Sequence, residues 1–548
     1  MLLVLASQHD PVALIAFAGL VAAAVAIAWR APSTAAALPA AAILAALMLA
    51  HWAVELDWET LVAPAGETAS AVPQPGPAYT GMHMTLGATF AALFGGAGFL
   101  AQGRYARPHI PLLWAASAVL APIAILIALY YRVANFERSI PFAALALLLA
   151  ALYAAATEML NKRERRPGIA SAEALFAVGA VAGLALALTM ALEKGWLTVA
   201  FALMAPGIAM IAEKRPLPLL RFLAAASAAL VVARVLWEPR IVADVGATPI
   251  FNWLLWGYGV PAVSFWTAAY LLRRRADDLP VRVLDSAAIL FTVLTMTLEI
   301  RHYMAGGNIY GRISTIGEFG LHVCGLLAIA IGLERVRGRT RSPVHDIGAL
   351  VVAGLALAAI VFGLLTAHNP LFNHVSVGPP LINLILLAYG MPAILAAALA
   401  LIAKNTRPMP YRAVAAATAV TLSLAYLTLQ VRRFYHGSII DIVSSRGGEP
   451  VFSDPELWTH SIVWLAFGVI LLMIGIVVRS QPARMASAAV IFLTVLKVFL
   501  IDLAGVGGVW RSLSFIGLGL VLVGIGWTYQ KLLFPPRPPP APVAPAQI

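Results

Sequence analysis

The sequence is poor in cysteine and in charged residues, and each shortage excludes a class of protein. A single cysteine among 548 residues rules out disulfide frameworks and cysteine-ligated metal sites. Charged residues make up 11% of the chain, less than half of the roughly 25% found in soluble globular domains. We therefore predict that the chain is not a soluble globule.

Several chemical signatures are missing as well. The sequence contains no Walker phosphate loop, no Gly-x-Ser-x-Gly nucleophile elbow and no His-Glu-x-x-His zinc motif. Its histidines are too dispersed along the chain to indicate a metal site. ATP-driven pumping and the commonest hydrolase chemistries are thus unsupported, and we predict no cofactor and no bound metal.

Long apolar runs dominate what is present. Hydrophobic residues make up 61% of the chain, and runs of 18 to 25 apolar residues follow one another from residue 11 to residue 531. Each run is long enough to cross about 30 Å of hydrocarbon as an α-helix. We predict an all-α polytopic transmembrane bundle whose main partner is the lipid bilayer. Its spans, about 17 in number, begin near residues 11, 35, 81, 109, 139, 170, 195, 217, 250, 281, 314, 345, 378, 410, 456, 483 and 511.

Basic residues cluster in every second connection between these runs. The formal net charge of +12 would suit a nucleic-acid partner, but the alternation is a signal of membrane topology, so no nucleic-acid partner is predicted. The positive-inside rule places the N-terminus outside and the C-terminus in the cytoplasm, as expected for a bacterial inner-membrane protein. The first ten residues lack the features of a cleaved signal peptide, so the first run should remain as a helix. The sequence does not indicate an oligomeric state.

Part of the sequence is repeated. Pro249–Ala262 returns as Pro380–Ala393, with half of the fourteen positions identical at an offset of 131 residues. The pattern predicts two four-helix groups in tandem, copy one in residues 217–334 and copy two in residues 345–478. An even number of membrane crossings keeps two copies in the same direction, so the repeat is predicted to be parallel.

The remaining segments are divided by composition. A fainter match of Leu188–Glu193 to Leu294–Glu299 leaves open a partial third copy in residues 170–216. The other predicted segments are N-terminal transmembrane helices with an acidic outer loop (1–169), a C-terminal helix pair (479–531) and a disordered proline-rich tail (532–548).

The C-terminal helix pair resembles a known family. Leu496–Asp502, Trp510–Gly519 and Gly526–Lys531 are similar to the closing signature of a family of predicted membrane proteins, domain of unknown function 2339. Leu192–Ala200 and Leu429–Arg433 resemble its recurring blocks, so the resemblance covers roughly residues 170–531. It implies a many-helix bacterial inner-membrane protein without an assigned activity, and no catalytic residue is carried over.

Polar residues collect at the ends of the repeated spans that are predicted to face outward. An ionisable residue near hydrocarbon costs on the order of 3 kcal/mol on insertion scales, so it usually faces a cavity or a partner. The residues are Asn252, Glu299, Arg301, Glu318 and His322 in copy one, and Asn383, Gln430, Arg432, Glu456 and His460 in copy two. We interpret them as a ligand-binding or proton-carrying site, with a network that locks helix ends together as the alternative.

Within this site the residue types suggest roles. Arg301 and Arg432 are candidate anion contacts, and each glutamate lies one helical turn before its histidine, a spacing that suits a proton-sharing pair. Pro261 and Pro392 interrupt matching spans of the two copies. Interrupted helices at matching positions point to a transporter's binding site, although a packing kink would leave the same pattern.

A second charged cluster lies in the C-terminal pair. Lys497, Asp502 and Arg511 fall at the outward ends of the last two predicted spans. We expect a buried charge network there, with a purely structural ion pair as the alternative.

These features favour the binding and translocation of a small anionic or polyhydroxylated molecule related to the cell envelope. Two alternatives remain. One is a membrane-embedded, glycosyltransferase-like enzyme of envelope assembly that acts on a lipid-linked substrate through Glu55 and Asp57 of the first outer loop. The other is a non-catalytic membrane scaffold.

Overall fold

The fold is given by a computed structural model and is built almost entirely of α-helices. The structure describes residues 1–7, 10–54, 80–105, 107–163, 166–192, 194–214, 217–237, 245–246, 248–311, 315–442, 452–502 and 509–533. These residues contain no β-strand, and the one isolated bridge joins Ser376 to Ile439. The predicted all-α class is confirmed. The proline-rich tail from residue 534 onward and the acidic segment 55–79 lie outside the described residues.

The chain divides into two compact units. The first comprises residues 1–245 and 253–291, and the second comprises residues 246–252 and 292–548. The helices of the first unit are α1 (Leu2–Ala6), α2 (Pro11–Arg30), α3 (Ala37–Ala53), α4 (Thr80–Leu100), α5 (His109–Ala134), α6 (Ile140–Asn161), α7 (Ile169–Ala191), α8 (Lys194–Lys214), α9 (Pro218–Trp237) and α10 (Val260–Arg273).

Helix α11 (Leu279–Met304) begins in the first unit and ends in the second. The second unit continues with α12 (Ile316–Thr340), α13 (Pro343–Ala358), α14 (Met391–Ile402), α15 (Met409–His436), α16 (Asp454–Val477), α17 (Gln481–Lys497) and α18 (Val509–Leu533). Short π-helical segments precede α10 (Leu255–Gly259) and α14 (Leu386–Gly390) and extend α13 (Ala359–Ala367) and α17 (Val498–Asp502).

The helices match the predicted spans. In the described residues, 14 helices are long and apolar enough to cross a membrane. The three other predicted spans correspond to α3, α10 and α18. Large apolar side chains remain exposed along the helices, among them Ile15, Leu148 and Ile470. That exposure is expected where the surrounding medium is lipid rather than water.

Two spans begin later than predicted. The spans expected near residues 250 and 378 become helical a few residues further on, because Ile250 and Leu381 take positive φ angles of 67° and 69°. Each segment then passes through its π-helical turn before α10 or α14 begins. Pro261 and Pro392 thus lie directly after these π-helical turns, within helical segments that start at Trp253 and Leu384, and the irregular backbone lies just ahead of each proline.

The first unit has its own apolar core. Phe90 and Phe94 of α4 are buried with Trp114 of α5. The two helices approach closely at Gly98, where a Cβ atom would lie 2.4 Å from the Cβ of Ala118. Arg132 is buried at the end of α5, with its guanidinium 5.4 Å from the Trp52 ring centroid. A cation buried in this way is stabilised by the negative face of the ring.

Candidate functional site

The polar residues predicted in the two copies form two networks, both in the second unit. We call the set around Asn252, Glu299, Arg301, His302, Glu318 and His322 the first polar network. The second polar network is the set around Asn383, Gln430, Arg432, Arg433, His436, Glu456 and His460. Each network lies where a long helix ends and the next one begins, α11 and α12 in the first and α15 and α16 in the second.

An arginine–glutamate pair joins the helices of the first network. Arg301 Nη1 donates to both carboxylate oxygens of Glu318, at 3.0 and 2.8 Å, and Arg301 Nε donates to the carbonyl of Ile309 at 3.4 Å. The hydroxyl of Thr315, the N-cap of α12, accepts from the backbone N–H of Glu318 at 3.2 Å. The pair thus connects the end of α11 to the first turn of α12. The side chain of Glu318 is 4% exposed and that of Arg301 is 16% exposed.

A second group in the first network brings a carboxylate, an amide and an imidazole together. Asn252 Nδ2 donates to Glu299 Oε2 at 2.9 Å and lies 3.5 Å from His302 Nδ1. His302 Nε2 donates to the carbonyl of Gly246 at 2.8 Å, since a carbonyl oxygen can only accept. Glu299 Oε1 is buried and has no hydrogen-bond partner among the described residues.

The second network repeats the arginine–glutamate pair in a more enclosed form. Arg432 Nη1 donates to Glu456 Oε1 at 3.2 Å, and its Nε donates to the carbonyl of Ile440 at 2.6 Å. Arg432 Nη2 reaches the carbonyl of Asp441 at 3.2 Å. The other carboxylate oxygen of Glu456 contacts His436 Nε2 at 2.9 Å. The side chains of Arg432 and Glu456 are 1% and 0% exposed, so this pair is removed from solvent and lipid.

The amide group of the second network is fully paired. Asn383 and Gln430 exchange two hydrogen bonds of 3.2 Å, each donating to the oxygen of the other. Asn383 Oδ1 also accepts from the backbone N–H of Leu386 at 2.9 Å. Arg433 donates from Nε and Nη2 to the carbonyl of Gly378, at 3.1 and 2.8 Å. Gln430 and Arg433 stand where the first network has Glu299 and His302.

The histidines of the predicted proton-sharing pairs contact backbone instead. His322 Nε2 lies 3.2 Å from the carbonyl of Thr297, and His460 Nε2 lies 3.2 Å from the carbonyl of Thr428. His460 Nδ1 also lies 2.8 Å from the carbonyl of Glu456. Only a doubly protonated imidazole can donate at both nitrogens. In the described residues neither glutamate side chain hydrogen-bonds the histidine one turn later; each pairs with an arginine.

The C-terminal charge cluster of Lys497 and Asp502 includes Ser461, which the sequence interpretation did not identify. Lys497 Nζ donates to Asp502 Oδ1 at 2.6 Å and contacts the hydroxyl of Ser461 at 2.8 Å. Ser461 in turn donates to Asp502 Oδ2 at 2.5 Å. The π-helical turn after Lys497 brings Asp502 back to the ammonium group. The side chain of Arg511 lies outside the described residues, as do Glu55 and Asp57.

The comparison with protein families covers nearly the whole chain. The family described as predicted membrane protein (DUF2339) matches residues 2–532. The chain belongs to this family. The DUF2339 match confirms the resemblance and extends it to the N-terminal helices, and it agrees with an integral membrane protein. No curated protein and no solved structure matches the chain.

Within this DUF2339 protein, several residues of the two networks escaped the sequence interpretation. His302 and Arg433 occupy equivalent positions at the offset of 131 residues, immediately after Arg301 and Arg432. The alignment of the copies therefore contained both, but their difference in type concealed the match. His436 has no counterpart that would have drawn attention to it. Among the described residues, no three His, Cys, Asp or Glu side chains converge in a way that could hold a metal ion.

Proposed function

We propose that this membrane protein binds a small hydroxyl-bearing solute at the first polar network and carries it across the bilayer. The second polar network then acts as the structural counterpart of the site. The two networks are built from equivalent positions but differ in how completely their polar atoms are paired. That difference is the basis of the proposal.

The proposal rests on one observation, which concerns Glu299. Glu299 Oε1 is buried without a hydrogen-bond partner in the described residues, whereas Gln430 at the equivalent position is paired through both of its polar atoms. A buried carboxylate oxygen that lacks a donor costs about 1 to 3 kcal/mol or more. Such a group in a native protein calls for a missing partner, and a ligand hydroxyl would supply the donor.

The charges of the network narrow the ligand class. Glu299 and Glu318 are two acidic residues beside one arginine, Arg301, and the open oxygen belongs to the acid that does not contact the arginine. An anion would be repelled by the open carboxylate oxygen. A neutral polyhydroxylated molecule can donate one hydroxyl to Glu299 and present another to Arg301, whose side chain is 16% exposed. We therefore favour a polyol or sugar over a simple anion.

The arginines of the two networks also differ in exposure. Arg432 is 1% exposed and has donors directed at Ile440, Asp441 and Glu456. A ligand could reach it only by displacing these contacts. Arg301 is thus the better ligand contact, and Arg432 is assigned to holding α15 and α16 together.

The test compares Glu299→Gln with Gln430→Glu. Each substitution places the side chain of one network in the other, so the two variants change charge by equal and opposite amounts. The purified full-length protein is titrated with glycerol, myo-inositol, glucose and inorganic phosphate by thermal shift and equilibrium dialysis. Uptake of any polyol that binds is then measured in proteoliposomes.

Glu299→Gln is expected to weaken polyol binding by about tenfold or more, which corresponds to about 1.4 kcal/mol. Gln430→Glu should leave the dissociation constant for the polyol unchanged, and neither substitution should change the binding of inorganic phosphate. Equal polyol binding by wild type and Glu299→Gln, or phosphate binding that Glu299→Gln alters, would reject the proposed site. Binding without uptake would reject transport, and no binding at all would favour the scaffold.

A further inference from the structure

A separate basic cleft lies at the opposite ends of the helices in the second unit. It has a volume of about 540 Å³ and lies beside the N-terminus of α13. Its lining residues are Arg337, Gly338, Arg341, Ser342, Pro343, Asp346 and Thr406. None of these residues belongs to either polar network, so the cleft is independent of the proposed transport site.

The cleft contains an unused hydroxyl at a helix N-terminus. Ser342 is the N-cap of α13, yet its side chain makes no capping hydrogen bond. It is 0% exposed, and its Oγ has no hydrogen-bond partner among the described residues. The first amides of an α-helix lack intrahelical acceptors, and the helix dipole favours a negative charge at this end. Pro343 at the first position has no N–H, so the unpaired Ser342 hydroxyl and the positive end of the helix dipole together favour a phosphate group here.

The arginines around the cleft are not equally engaged. Arg337 pairs with Asp346 and donates to the carbonyl of Thr406 at 3.2 Å. Arg407 pairs with Asp346 and with Glu334, at 2.7 Å each, and Arg337 also contacts Glu334 at 3.5 Å, so these two guanidinium groups are engaged by two carboxylates. Arg341 has no ion pair or side-chain hydrogen bond with the described residues, which leaves its fork of donors for an anion.

A separate apolar cavity lies along the same face of α13, one helical turn beyond the cleft. It has a volume of about 280 Å³ and is lined from α13 by Leu350, Ala353, Gly354 and Leu357, and from α15 by Pro410, Tyr411 and Val414 among others. Asp346 of the cleft and Leu350 of the cavity are one helical turn apart. From Pro343 to Leu357 the helix rises about 21 Å, more than half of the roughly 30 Å hydrocarbon thickness.

We propose that the cleft binds the phosphate group of an anionic phospholipid, whose apolar chain enters the adjoining cavity. Basic pockets between transmembrane helices attract anionic headgroups, and here the phosphate site and the apolar cavity share the wall formed by α13. Arg341 and Ser342 bind the phosphate at the positive end of the α13 dipole. The α13 residues Leu350 to Leu357 contact the chain.

The test uses full-length protein in mixed micelles that contain either phosphatidylglycerol or phosphatidylcholine, with retained lipid counted by native mass spectrometry. Arg341→Ala and Ser342→Ala remove the two proposed side-chain contacts. Arg339→Ala is the matched control, since Arg339 is exposed on the same helix as Arg337 but does not line the cleft. Gly354→Leu fills the cavity, because a Cβ atom there meets nothing within 4 Å. Competition with inorganic phosphate separates lipid from free phosphate.

Phosphatidylglycerol is expected to be retained over phosphatidylcholine, and each cleft variant should reduce its retention by about tenfold while Arg339→Ala does not. Gly354→Leu should reduce lipid retention without changing the weak competition by inorganic phosphate. Equal effects of Arg339→Ala and Arg341→Ala would show a diffuse charge effect and reject the site. Phosphate binding that exceeds lipid binding and ignores Gly354→Leu would reject the lipid as the ligand.

Discussion

The two polar networks share the same arrangement of an arginine and a glutamate on successive helices, but they differ in how completely their polar atoms are hydrogen-bonded. In both, an arginine near the end of a long helix donates to a glutamate in the first turn of the next helix and to the carbonyl of the residue eight positions later. The second network pairs Gln430 with Asn383 through two hydrogen bonds, while the first leaves one oxygen of Glu299 without a donor. Among the described residues, the amide pair of the second network is fully hydrogen-bonded, whereas the first network retains one buried carboxylate oxygen without a donor.

This contrast separates two roles that the same residues can serve. A buried and fully paired ion pair holds helix ends in register, and removing one partner leaves a costly unpaired charge. A buried group that lacks a partner is kept at a cost to stability and usually serves a ligand or a reaction. The Arg432–Glu456 pair fits the first role. Glu299 fits the second, which is why the proposed site is placed in one network only.

The largest expected effect is the all-or-none labelling of cysteines placed near the two networks, which tests whether both networks lie on the same side of the membrane. In a Cys324→Ala background, cysteines at Asn308 and Ser438 should both react with an impermeant thiol reagent from outside the cell. A cysteine at Gly338 should react only after the membrane is permeabilised. Labelling of Asn308 and Ser438 variants from different sides would show that the two networks do not share a membrane face and would end the comparison.

The next effect concerns the arginines. Arg432→Leu is expected to lower the free energy of unfolding by about 3 to 5 kcal/mol, because the buried Glu456 would lose its arginine and keep only the contact with His436. Arg301→Leu should cost less, about 1.5 to 3 kcal/mol, since Arg301 is 16% exposed and water can replace part of its contact. Unfolding of purified protein in detergent, followed by tryptophan fluorescence, measures both.

The double variant Arg432→Leu/Glu456→Leu provides the control for this prediction. Removing both charges should restore most of the lost stability, as expected when a buried pair is replaced by apolar side chains. A larger loss for Arg301→Leu than for Arg432→Leu would mean that the first network, and not the second, holds the helix ends.

The smallest effect distinguishes the amide groups. Gln430→Glu removes a donor to Asn383 and is expected to cost about 1 to 3 kcal/mol. Glu299→Gln should cost nothing or stabilise the protein by up to about 1 kcal/mol, because a neutral amide is easier to bury than a carboxylate with an open oxygen. The same fluorescence measurement applies. Destabilisation of similar size by both substitutions would show that Glu299 is as well paired as Gln430.

An ion pair of the first unit, between Arg221 and Asp278, contrasts with the buried pairs of the two networks because its carboxylate is 36% exposed. Arg221 binds both carboxylate oxygens of Asp278, at 2.7 Å each. Burial raises the pKa of Asp278, but the hydrogen bonds and charge of Arg221 lower it by more, so the net shift is downward. A carboxylate with a lowered pKa contributes stability only above its unfolded value, and this contribution is lost as the pH falls through the folded pKa.

Much of the architecture could be predicted from the sequence because membrane hydrophobicity is a local property. Apolar runs of the right length predicted the spans. The helix starts agree closely with the predicted ones, and the segments before Pro261 and Pro392 are the two that become helical later than predicted. There the positive φ angles at Ile250 and Leu381 and the π-helical turns delay the helix. Hydropathy does not report backbone angles, so these irregularities could not be predicted from composition.

The sequence also determined which residues would collect at the helix ends, since Arg301 matches Arg432 at the offset of 131 residues and Glu318 matches Glu456 at an offset that has grown to 138. Only the tertiary structure decided how they pair. Helical spacing suggested that each glutamate would bind the histidine one turn later, but the glutamates in the first turns of α12 and α16 are reached by arginines from the preceding helices. His322 and His460 contact the backbone of those same preceding helices. Which side chains meet depends on how neighbouring helices cross and how the loops between them return, and these distances are fixed only when the chain is folded.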